Sequence, residues 1–175
     1  MRTRILGLLS ALCAFASASA VQFEIESNGT IPSAQTISRT SGIWADVLFA
    51  SLTPTDIDFF KVYLEAGEIL TVITTPLSGP SFRDPDTFLR IATATGTPIF
   101  ENDDSGSGFG SAGQYQAVES GFYVIGITGV DDPTFNGFHT EDGDYLMTVS
   151  VVPEPASMFA LAAGVGILMR RRRVG

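Results

Sequence analysis

Between residues 21 and 151, apolar and polar positions alternate with a period of two, in short runs rich in β-branched and aromatic residues separated by clusters of Gly, Pro, Asn and Asp. That period puts successive side chains on opposite faces of an extended chain, and the interruptions are turn formers, so the pattern predicts an antiparallel sandwich or barrel. Strands are expected over residues 47–52, 59–64, 69–75, 87–92, 114–118, 122–128 and 145–151. In the second of these, Phe60, Val62 and Leu64 share one face, and Glu65, Ala66, Gly67 and Glu68 make the turn into the third. Ser120 and Gly121 are expected to close a tight hairpin between the fifth and the sixth. Almost nothing in this body would sustain a soluble helix, and two packed sheets are the economical architecture.

Both ends of the chain break the pattern. Arg2 and Arg4 precede an apolar run over residues 5–16, and Ala18-Ser19-Ala20 has the small-x-small form of a signal-peptide cleavage site, so cleavage is expected after Ala20. Cys13 follows Leu12 where a lipid-attachment signal needs a small residue, and it leaves with the signal. The mature chain then has no cysteine, which excludes disulfides and thiolate catalysis. At the other end Val152-Pro153-Glu154-Pro155 leads into an uncharged apolar run over residues 156–169 and then Arg170, Arg171, Arg172 and Arg173. A helix of that run is about 21 Å long against a hydrocarbon core of about 30 Å, a poor permanent anchor. Its ends nevertheless suit a membrane helix. Pro155 fits a first turn, Glu154 faces the positive end of the helix dipole, and the arginines face the negative end and snorkel to cytoplasmic headgroups. The body then lies outside.

Pro153-Glu154-Pro155, the short apolar run and the arginine cluster closely resemble the PEP-CTERM sorting signal of Gram-negative bacteria. The resemblance covers residues 152–175 and implies export across the inner membrane, transient anchoring, and removal of the apolar helix near the triplet by a membrane-embedded cysteine protease, an exosortase. The body would then reach the cell surface or the medium. A second resemblance covers most of the body. Glu26-Ser27-Asn28-Gly29-Thr30 with Ala34-Gln35, then Asp56-Ile57-Asp58-Phe59-Phe60-Lys61-Val62, Glu65-Ala66-Gly67-Glu68, Gly96-Thr97-Pro98-Ile99, Asn102-Asp103-Asp104 and Ser120-Gly121-Phe122-Tyr123 stand in the order seen in bacterial pre-peptidase C-terminal (PPC) domains. That resemblance implies a jelly-roll-like β-sandwich over residues 21–151 acting as a binding or auxiliary module.

Charge narrows the partners. Six of the ten basic residues lie in the two end segments, which leaves four against 18 acidic residues in the body and a net charge of −14 there. Phosphate contacts need clustered Lys and Arg, so nucleic acid is not the expected partner. Calcium takes six to eight hard oxygen ligands, and an acidic, asparagine-bearing body offers them. Glu24, Glu26 and Asn28 alternate along an extended segment. Some calcium-binding members of the PPC family use a similar leader together with aspartates before the aromatic strand, which makes Glu24, Glu26, Asn28, Asp56 and Asp58 the candidate calcium ligands. Gly29 departs from that pattern, because an acidic residue is common there.

The remaining acidic groups, Asp84 with Asp86, Asp103 with Asp104, and Glu141-Asp142-Gly143-Asp144, lack the spacing of an EF-hand loop and read as turns. His139, the one histidine, reads as a solvated loop residue, and no nucleophile motif or histidine pair accompanies it. Trp44 and the phenylalanines offer faces for sugar stacking, although thirteen phenylalanines in a small sandwich are mostly core. The expected function is non-catalytic: an exported surface or matrix protein binding carbohydrate or protein. The alternatives are a secreted hydrolase built from scattered carboxylates and a self-associating matrix protein.

Overall fold

The computed structural model describes residues 17–18, 21–79 and 83–154. The rest of the signal segment, Pro155, the apolar run and the four arginines lie outside the described residues. Two sheets face each other. The first has the order β1 (Ser17–Ala18), β4 (Trp44–Leu52), β11 (Gly143–Val152), β6 (Ile69–Pro76) and β9 (Ala112–Gln116), with β2 (Gln22–Phe23) also paired to β4. The second has the order β3 (Gln35–Ile37), β5 (Asp58–Leu64), β10 (Gly121–Gly129), β7 (Thr87–Thr93) and β8 (Pro98–Asn102). Among the described residues a 3-10 turn, Ile31–Ser33, is capped by Thr30, whose hydroxyl accepts from the Ser33 amide.

The period-two pattern is what the sheets bury. Trp44, Leu48, Ala50 and Leu52 of β4 point inward, opposite Tyr145, Met147, Val149 and Val151 of β11 in the same sheet. Phe60, Val62 and Leu64 of β5 and Ile125 and Ile127 of β10 come from the other sheet, and all of these side chains join one core. Each Val, Leu, Ile, Phe or Met among them contributes roughly 1.5–3 kcal/mol on leaving water. Trp44 is 2 % exposed, so its ring serves the core and offers no sugar platform. The expected antiparallel sandwich is present, with a departure at its margins: β1 and β2 run parallel to β4, and β3 runs parallel to β5.

Ser120 and Gly121 do not close a hairpin. β9 pairs with β6 in the first sheet and β10 with β5 and β7 in the second, so residues 117–120 cross between sheets. The crossing is fixed by reciprocal bonds, Gly67 N–H to the Ala117 carbonyl at 2.7 Å and Ala117 N–H to the Glu68 carbonyl at 2.8 Å, and by the Ser120 hydroxyl, which accepts from the Ala66 amide. The 65–68 turn beside it also crosses between sheets, with Gly67 in the left-handed region at φ 87°.

These crossings define two ends. One gathers the start of β4, the end of β11 and the 65–68 and 117–120 crossings. The other gathers the start of β5, the start of β11 and the loops carrying most of the aspartates. The second end holds the candidate site.

Candidate metal site

β2 is only two residues long because the chain leaves the sheet after Phe23, held by the Glu24 amide donating to the Phe49 carbonyl at 2.9 Å. This exit carries the acidic leader across the ends of β4 and β5. Ligand-bearing oxygens of Glu24, Glu26 and Asp58 all lie within 4.8 Å of one another. Asp58 is fully buried at the first position of β5, Glu24 is half-buried and Glu26 exposed. A shallow pocket of about 170 Å³ opens beside them, lined by Phe23, Glu24, Glu26, Phe49, Ala50 and Ser51.

The hydrogen bonds fix these groups without satisfying them. Asn28 Nδ2 donates to Glu24 Oε1 at 2.8 Å, and the Ser51 amide donates to Glu24 Oε2 at 3.0 Å. The Tyr145 hydroxyl, itself buried, donates to Asp58 Oδ2 at 2.5 Å. Two oxygens are left over: Asn28 Oδ1 and Asp58 Oδ1 are buried with no hydrogen-bond partner, in residues with no exposed surface. Leaving a buried acceptor unmade costs about 1–3 kcal/mol, more for a charged group, so two together beside three carboxylates mark a place where something positive fits.

Electrostatics point the same way. Burial and the neighbouring Glu24 push the Asp58 carboxyl well above the ordinary carboxylate range, and burial with Glu24 and Asp56 raises Glu26. Burial and Asp58 drive the Tyr145 hydroxyl up as well. The ion pairs among the described residues, Arg39 with Glu68, Arg83 with Asp142 and Arg90 with Glu101, leave the site without a cation. The donors on hand are all oxygen, from carboxylates and an amide, which fits calcium or magnesium and not zinc or copper.

Of the five residues expected, Glu24, Glu26 and Asp58 converge, and Asn28 touches Glu24 with its free oxygen buried alongside. Asp56 stands apart. It belongs to the turn before β5, where its Oδ1 accepts from the Ile57 amide at 2.9 Å, and it acts on the site only as a nearby negative charge. The support from Tyr145 and Ser51 was not readable in advance, since it depends on how β11 and β4 align. Asp86 forms a weaker second focus, raised to about 6 by burial and by Asp104, Glu141, Asp103 and Asp131, with Oδ1 buried and unpartnered but the residue itself half-buried.

His139 is not the solvated loop residue expected. It is 5 % exposed and sits over Gly129, where a Cβ would come within 2.6 Å of its Cγ, and its Nε2 lies 2.6 Å from the Asp56 carbonyl. The missing side chain at Gly129 makes the room. A larger concavity of about 350 Å³ lies at the opposite end between residues 36–41 and the Tyr63 and Phe122 rings, where Arg39 is already committed to Glu68.

Comparison with known proteins bears on the C-terminus most directly. Residues 151–173 match the PEP-CTERM protein-sorting motif, so the chain carries the C-terminal signal of an exported Gram-negative protein whose processing partner is an exosortase. Among the described residues no helix is long and apolar enough to cross a membrane. No curated protein matches the chain. Among solved structures, PliG, a periplasmic inhibitor of g-type lysozyme from Aeromonas hydrophila, is 17 % identical with a TM-score of 0.45 over 76 % of this chain and 98 % of its own. The pre-peptidase C-terminal domain of collagenase from Bacillus anthracis is 14 % identical with a TM-score of 0.44 over 67 % of this chain and 93 % of its own.

Proposed function

We propose that the mature chain is a non-catalytic β-sandwich that exosortase releases or passes to the cell surface or extracellular polysaccharide matrix, and that it binds a calcium ion through Glu24, Glu26, Asn28 and Asp58. Calcium there would neutralise the carboxylates and fasten the leader to the starts of β5 and β11. The strongly acidic surface suits a neutral or cationic partner, a polysaccharide or another surface protein. The single observation that supports the calcium reading is the pair of buried, unpartnered oxygens of Asn28 and Asp58 beside converging carboxylates.

Thermal unfolding with chelator and with about 1 mM calcium tests it. A ligand bound only to the folded state at about 100 times its Kd adds about 2.7 kcal/mol, and in a domain of this size that raises Tm by roughly 10 °C. Asp58→Asn keeps an acceptor for Tyr145 but removes the charge, and is expected to abolish the gain. Asp86→Asn is expected to keep it. An unchanged Tm in the unsubstituted protein would refute the calcium site and leave the sorting assignment standing. For sorting, the chain with and without residues 153–175 is followed in cells with and without exosortase. Only the combination of full chain and protease is expected to lose mass and leave the membrane.

A further inference from the structure

Exposed apolar side chains occur elsewhere, at Phe23, Ile25, Phe109 and Phe138 among others, but five gather at the end of the sandwich from which the sorting segment departs. Ile43, Tyr63, Val118, Phe122 and Val152 are all exposed there, Val118 at 78 %, and Tyr63 and Phe122 stack edge to face with centroids 5.4 Å apart. They come from five places in the sequence: the lead into β4, the end of β5, the 117–120 crossing, the start of β10 and the end of β11. Arg39 and Glu68, the charges buried at this end, neutralise each other. Exposed charge here is negative, from Glu65 and Glu119, with Glu154 half-buried.

Tether length says what covers this face. Val152 is the last residue held in the sheet, paired with Ile69, and the apolar run begins at Ala156. Four residue steps span at most about 14 Å. The slack is smaller still, because the Glu154 side chain lies back against Gly67, leaving two steps or about 7 Å. A headgroup layer is about 5–8 Å thick on each side of the hydrocarbon core, so a tether of about 7 Å holds this end at the layer's outer boundary while the segment is inserted, and the side chains it presents decide whether it enters. Helix length tightens the fit. As a helix, the 14-residue run would be about 21 Å long and fall short of the core by about 9 Å, and a short span draws its flanks inward. With the arginines held at the cytoplasmic surface, the flank drawn toward the layer is the sandwich.

From this geometry we infer that, until the sorting segment is cut, the end of the sandwich bearing Ile43, Tyr63, Val118, Phe122 and Val152 beds into the headgroup layer of the outer face of the inner membrane. Aromatic and apolar side chains at that depth are stabilised as in the interfacial belts of membrane proteins. Glu65, Glu119 and Glu154 make a zwitterionic lipid surface the better match and an anionic one the worse. Removal of the segment takes away the tether, and the same face is then freed with the mature protein. This inference rests on the reading that residues 156–173 insert in the membrane.

The test uses the chain purified with its sorting segment from a host without exosortase, carrying Cys13→Ser and either Val118→Cys or Asp104→Cys labelled with a fluorophore, in phosphatidylcholine vesicles containing a headgroup spin-labelled lipid. Quenching of the label at 118 is expected to exceed that at 104 several-fold, and Tyr63→Ser with Phe122→Ser is expected to halve it or more while the protein stays resistant to carbonate extraction. Equal quenching at the two positions in a carbonate-resistant protein overturns the docking and leaves the anchor intact. Unchanged quenching in the double variant also overturns it, because the tether alone would then hold position 118 near the lipid. Protection of position 118 only after exosortase is added assigns the face to a protein and overturns the lipid. Extraction of the chain by carbonate removes the insertion reading and the docking with it.

Discussion

The two ends of the sandwich bury charge in opposite ways. At the C-terminal end Arg39 and Glu68 are 7 % and 8 % exposed at their side chains and form a two-pronged ion pair, with Arg39 Nε also donating to the Tyr63 carbonyl and Glu68 Oε2 accepting from the Glu65 amide at 2.8 Å. At the acidic end Asp58 is as deeply buried, yet its neighbours are Glu24, Asp56 and a tyrosine hydroxyl. There desolvation and the like charge of Glu24 both favour the protonated form and raise Asp58, whereas Asp132, 1 % exposed at the same end, is raised by burial but brought below the ordinary range by the Asn136 and Gly137 amides and the Thr134 and Thr128 hydroxyls. At the C-terminal end the chain therefore supplies a partner for each buried charge, Arg39 for Glu68 and the Gln22 side-chain amide with the Val47 N–H for Asp46, whereas Asp58 at the acidic end is left among like charges.

Breaking the C-terminal end is expected to have the largest effect. Arg39→Ala leaves Glu68 buried and unpaired, which costs about 3–5 kcal/mol where one partner of a buried pair is removed. Urea unfolding measures it, and Arg39→Leu with Glu68→Leu is expected to recover most of the loss. A single-variant loss under about 1 kcal/mol would show that Glu68 finds water in place of the guanidinium, and the contrast between the ends would dissolve.

Gly67 sharpens the same end. At φ 87° an alanine must adopt a left-handed backbone, which costs about 1–2 kcal/mol, and its Cβ would stand 3.2 Å from a carboxylate oxygen of Glu154. Gly67→Ala is expected to lose that much in urea unfolding and to displace Glu154 from the turn. Gly121→Ala, with nothing near its Cβ position, is the matched control and is expected to change stability by under about 0.5 kcal/mol.

The sequence pattern carried most of the sandwich because core strands report their burial through alternation. Strands expected at 59–64 and 122–128 appear as Asp58–Leu64 and Gly121–Gly129, shifted by a residue at most. β3 and β8 escaped notice for a physical reason: they are edge strands of three and five residues, and β8 opens on a proline that an edge tolerates. The hairpin at Ser120 failed because a Ser-Gly turn looks the same whether it stays in one sheet or crosses to the other. At the candidate site, acidic alternation in the leader was legible, but it is the start of β5 at Asp58 that separates Asp58 from Asp56. The burial of His139 depends on Gly129 lying beneath it, a contact across ten residues that no local pattern encodes.

The acidic end supplies the pH dependence. Asp86 is raised from 3.8 to about 6, first by burial and then by Asp104, Glu141, Asp103 and Asp131. Its folded form holds a proton more tightly than its unfolded form, so its contribution to stability is fully present below about pH 4 and is lost as pH rises through about 6. Chelated protein is therefore expected to lose stability from this group between those values, by under about 1 kcal/mol because a half-buried carboxylate is partly screened. Asp86→Asn is expected to flatten that part of the profile in thermal unfolding at pH 4, 5, 6 and 7. A profile of unchanged slope would mean that neither burial nor the neighbouring carboxylates raise Asp86 in the folded protein.

The smallest effect separates proximity of charge from burial of charge. Arg83 and Asp142 also form an ion pair at the acidic end, but their side chains are 76 % and 35 % exposed. Water screens the attraction and ordering two long side chains offsets much of it, so exposed pairs contribute about 0–1 kcal/mol. Arg83→Ala is expected to change urea stability by no more than about 0.5 kcal/mol, and raising salt to 1 M to remove even that difference. A loss as large as that of Arg39→Ala would mean that the acidic end depends on Arg83 as its internal cation. The contrast would then lie in where each end keeps its positive charge, and the need for a metal would weaken in proportion.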